Sequence, residues 1–174
     1  CFDEVLHLPA FWQIAVTTAV PVLVIPFAIQ PWASYLDRHH VVAFRSVHGW
    51  VLVTASALLA AAILLRLSML VWPGALLMGV SLAAGNLGWS LGHNDFAPRG
   101  EETRYMALHV TLTGLRGLLA PPAVIAAYHG LEYLRAGLGR WALLLPVALI
   151  VAGAREFTAM DRQRTITGQL QEKR

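Results

Sequence analysis

A chain of 174 residues that is 57% hydrophobic and only 13% charged, with a mean hydropathy of +0.58, is far more apolar than a soluble domain of its size and reads as an integral membrane protein. The net charge of +3 does not point to nucleic acid, because the basic tail has no aromatic interleaving beyond Phe157. Cys1 is the one cysteine, which excludes an intrachain disulfide and a cysteine-built metal site.

Hydrophobic runs at 11–33, 47–67, 70–91, 105–128 and 139–157 each approach the roughly 20 residues that an α-helix needs to cross a bilayer. Stretches such as "TASALLAAAILL" lack the alternating polarity of barrel strands. The predicted fold is therefore all-α, a bundle of about five transmembrane helices in a single membrane domain over 1–174, with 158–174 as a cytoplasmic tail. A first residue of Cys is expected either from an acylated lipoprotein or from a chain cut out of a longer one. A polytopic protein hardly needs the lipid anchor.

The first run carries Pro21 and Pro26, which remove backbone donors and predict a kink. The second and fifth are nearly pure Ala, Leu and Val, and are expected to face lipid. In the third, Gly88 and Gly92 have the small-xxx-small spacing that lets helices approach closely, so tight packing is predicted. Asn86, Ser90 and His93 recur there at helical spacing, with Trp89 beside them.

The fourth run is the polar one. Tyr105, His109, Thr113 and Arg116 fall at i, i+4, i+8 and i+11 and share a face. Arg116 is twelve residues past Arg104, about 18 Å along a helix and near mid-membrane. It is expected to bind an anionic solute in a central cavity, or to bond carbonyls freed by a break at Pro121 and Pro122. No Asp or Glu lies within the five runs to pair with it. His109 can carry a proton for coupling, because imidazole titrates near neutral pH, or can serve as a hydrogen-bonded packing residue. Asn86, Thr113 and Trp89 are candidate solute contacts, although Asn at a helix interface is more often interhelical glue.

Basic residues set orientation. Arg38, Arg45, Arg99, Arg104, Arg155, Arg162, Arg164, Lys173 and Arg174 fall on one side; Arg66, Arg135 and Arg140 fall on the other. The richer side, with the C-terminus, is expected in the cytoplasm. Asp95, Arg99, Glu101 and Glu102 read as solvated surface.

The stretches "PWASYLDRHHVVAFR", "LHLPAFWQIAV", "GNLGWSLGHNDFAP" and "YMALHVTLTGLRGLLAPP" together resemble the major facilitator superfamily, in a bacterial branch of poorly assigned substrate. Asp37 and Arg38 match its Gly-x-Leu-x-Asp-Arg-x-Gly loop, while Ala33, Tyr35 and His40 replace the two glycines and the leucine. The resemblance covers the whole chain as the eighth to twelfth spans. It implies secondary transport of a small solute by alternating access in a bacterial inner membrane, with the N-terminal half of the transporter as partner. It also implies that Asp37 and Arg38 form a cytoplasmic gate, while the residues themselves read equally as a helix-capping and topology-setting turn. No cofactor and no enzymatic activity are expected, since neither HExxH nor a Ser/His/Asp arrangement occurs. Two alternatives stand beside transport. One is a non-transporting scaffold; the other is a haem protein using two of His48, His93 and His109.

Overall fold

The computed structural model describes residue 6 and residues 8–92, 95–98 and 100–172. His93, Arg99, Lys173 and Arg174, which carry expectations above, lie outside them. The described residues form no strand. Five helical segments are long and apolar enough to cross a membrane, as a multi-pass protein requires. They are α1 (Ala10–Leu36), α2 (Val41–Leu65), α3 (Val71–Leu91), α4 (Glu102–Leu134) and α5 (Leu144–Glu172).

α1, where the prolines predict a kink, contains a π-helical turn over Ala15–Ala19. Pro21 follows after Val20, and a proline ring crowds the carbonyl four residues back. That carbonyl belongs to Thr17, inside the wider turn, where there is room for it.

α1 packs on α3, α3 on α2, and α2 on α5. At the first contact a Cβ on Gly79 would lie 2.6 Å from the Pro21 carbonyl oxygen and 2.7 Å from Val24 Cβ, so the two backbones meet where only glycine fits. Ala28, Trp32, Phe44, Ala83 and Ala84 form the core between α1, α2 and α3, and Trp32 Nε1 donates to the Val80 carbonyl at 2.9 Å. α3 is thus the most buried helix, in keeping with its glycines.

α2 corrects one expectation. It is the centre of the bundle rather than a lipid-facing helix, with Phe44, Ala55, Ala62 and Ile63 buried. Its small side chains admit neighbours as readily as lipid: a Cβ on Gly49 would lie 3.0 Å from Ala154 Cβ of α5. Close to the same contact, α5 continues as helix past residue 157. Thr158, placed in the tail by hydropathy, lies inside α5 and receives Trp50 Nε1 at 3.1 Å and the Ser46 hydroxyl at 2.9 Å, while donating to the Ala154 carbonyl at 2.8 Å. One hydroxyl offers one donor and two acceptor sites, and all three are used.

α4 stands apart. None of its residues is buried, and its main contact is with the short 3-10 turn Gly139–Leu143 before α5. That turn is tied back by Glu132, whose two carboxylate oxygens each accept a backbone N–H, from Gly137 and Gly139, at 2.8 Å. Gly137 has φ +85°, a left-handed conformation that glycine adopts freely. α4 also runs through Pro121 and Pro122 without interruption, so the expected break is not there.

Candidate functional site

The site begins with how α2 starts. The first backbone N–H groups of a helix lack internal partners, and here two are supplied from outside: Val41 N donates to Asp95 Oδ2 at 2.8 Å, and Val42 N to His40 Nδ1 at 3.1 Å. Asp95 comes from the connection after α3, 54 residues away. It caps the helix while remaining on the exposed surface. The cap starts the helix at Val41, six residues before the hydropathy boundary at 47, and so places Arg45 one turn inside α2.

Arg45, counted above as a loop base, is half-buried. Its Nη2 donates to the Gly88 carbonyl at 2.8 Å. A Cβ at Gly88 would lie 3.1 Å from Arg45 Cζ, and one at Gly92 only 2.8 Å from Val41 Cγ2. The two glycines that predicted close packing therefore receive the first turn of α2 and its guanidinium. Without Arg45 the basic residues remain concentrated on the same side.

Between this surface and α4 lies a cavity of about 380 Å³. Arg45, Val41, Gly88 and Gly92 form one wall; Tyr105, Leu108, His109 and Leu112 of α4 form the other, with Phe96 and Phe157 at the edges. The polar face of α4 is thus turned toward the bundle although the helix is not packed on it. Tyr105, His109 and Thr113 are half-buried, and the His109 ring lies 5.8 Å from that of Trp89.

Arg116 continues the same face and is exposed. α2 and α4 thus each bring one guanidinium to the gap between them. No Asp or Glu lines the cavity among the described residues. Nor does Arg116 hydrogen-bond any carbonyl among them, so the reading in which it satisfies a proline break finds no contact in the structure.

The remaining candidates divide. His109 lines the cavity; Thr113, Trp89, Asn86 and Arg116 lie outside its lining. Asn86 and Ser90 are exposed and form no interhelical hydrogen bond among the described residues. Asp37 and Arg38 sit exposed beyond the end of α1, and neither side chain has a hydrogen bond or ion pair among the described residues. They border a shallow depression with His39, His40 and Asp95. The acid that holds a helix end is Asp95.

The histidines have separate surroundings. His48 is buried, with Nε2 3.0 Å from the Ser81 hydroxyl and its ring against Trp32 and Phe44. His109 faces the cavity and Trp89. His48 thus belongs to the packed core of α1, α2 and α3.

Reasoning from sequence missed Arg45 and Asp95. For Arg45 the signal was present: it stands three residues before His48 and one after Phe44, in a run that continues as helix on both sides. Asp95 had none, because its partner is a backbone amide distant in the chain. No family model, curated protein or solved structure matches this chain.

Proposed function

We propose that the chain is part of a secondary transporter that carries a small anionic solute across a bacterial inner membrane by alternating access, along the gap between α4 and the α1–α3–α2 core. The observation that carries this reading is the cavity anchored by Arg45, with Arg116 on the opposing face and no carboxylate in the lining among the described residues. A guanidinium in a spanning helix needs water, protein or a counter-ion. Two on the helices that border one gap favour an anion there.

The resemblance to the major facilitator superfamily supports the same reading, because solute sites there lie between two six-span halves. α4, with no buried residue, is the helix against which an N-terminal half would stand. His109, in the cavity wall, is the group proposed to carry the coupled proton. The end of the bundle bearing Arg38 and Arg155 is proposed to face the cytoplasm, with Asp37 and Arg38 finding gate partners on the other half.

The test is uptake by cells expressing the full protein, supplied with a panel of radiolabelled organic anions. At least one should accumulate in a protonophore-sensitive way, and Arg116→Ala should abolish its accumulation at unchanged membrane abundance. Full accumulation by the Arg116→Ala protein would contradict the reading.

A further inference from the structure

Resting on that reading of the gap, we infer that its cavity takes an amphipathic organic anion, a single carboxylate carried on a compact apolar body such as one ring. The walls separate the two parts of such a molecule. Arg45 commits one of its five N–H donors to the Gly88 carbonyl, which fixes the guanidinium and leaves donors free for a carboxylate, whose geometry its planar fork matches. Around that point the lining is mostly apolar, with Tyr105 and His109 of α4 as its other polar groups. Val41, Leu108 and Leu112 supply aliphatic carbon, Phe96 and Phe157 supply ring faces, and Gly88 and Gly92 present no side chain.

An inorganic phosphate or a polyhydroxylated solute would find too few hydrogen-bond partners here for its oxygens, and unsatisfied polar groups are disfavoured on burial. A ring or short alkyl body gains by leaving water. The volume, about 380 Å³, is at the small end of ligand pockets and suits one ring rather than a fused system.

The experiment uses the full chain in lipid nanodiscs and three probes: benzoate, its neutral isostere benzamide, and inorganic phosphate. Benzoate should bind about tenfold or more tightly than either of the others, the factor that a charge-assisted bond supplies. Leu112→Asn puts an amide into the apolar wall at a residue 57% exposed, so folding should survive. It should weaken benzoate several-fold. Phosphate binding as tightly as benzoate, with benzamide weak, would leave an anion site standing and overturn the amphipathic assignment. Benzamide equal to benzoate would overturn the anionic solute as well. Absence of binding by all three probes, or benzoate affinity untouched by Leu112→Asn, would also overturn the inference.

Discussion

Arg45→Leu is expected to weaken binding of an organic anion by about 10- to 100-fold, the equivalent of the roughly 1.5–3 kcal/mol that a hydrogen bond to a charged group contributes. Arg45→Lys should retain the charge but lose the fork, and fall between the two. The loss should not come from unfolding. The Gly88 carbonyl still accepts the Gly92 N–H at 3.2 Å, so no buried acceptor is orphaned. Titration of radiolabelled benzoate into nanodisc-embedded variants of unchanged Tm checks this. Equal affinity in the leucine variant would place the anion elsewhere.

Gly79→Leu is expected to have the largest effect on stability. Even the first carbon of a side chain would lie 2.6 Å from the Pro21 carbonyl oxygen, and the obstacle is backbone of a helix already shaped by a π turn and three prolines. Alanine should cost about 1–3 kcal/mol as an overpacking substitution; leucine should separate α1 from α3 and remove the folded fraction. Gly114→Leu is the control, because nothing lies within 4 Å of a Cβ there. Thermal unfolding in detergent should show a large drop for Gly79→Leu and little change for Gly114→Leu. Equal drops would mean that glycine matters through helix propensity rather than through the α1–α3 contact.

Five membrane-length helices were legible because hydropathy over a long window reports burial from water, whatever replaces the water. The same property could not tell lipid from protein. α2 reads as plain Ala, Leu and Val, yet small side chains are what allow it to touch α3 and α5 together. The polar stripe of α4 was legible from its period, and Tyr105, His109 and Thr113 are its half-buried positions near the bundle. That α4 would stand off the bundle and leave a cavity was not legible, since tertiary distance has no trace in a single helix's pattern. Helix ends were read least well. Val41 begins α2 because of a carboxylate 54 residues onward, and α5 continues past 157 because a fall in hydropathy ends a membrane run without ending a helix.

The claim on which the account turns is that the Arg116 face of α4 borders water rather than lipid. In the full protein with every native cysteine, Cys1 included, replaced by serine, Arg116→Cys and Leu118→Cys can each be challenged in sealed membranes with a charged thiol reagent that does not partition into hydrocarbon. The two positions lie about 200° apart around the helix, and both are exposed at the surface of the chain. Modification at position 116 should be rapid and slowed by a bound organic anion, with little at position 118. Equal resistance at both positions would mean that α4 presents both faces to lipid, and would contradict a solute path along it.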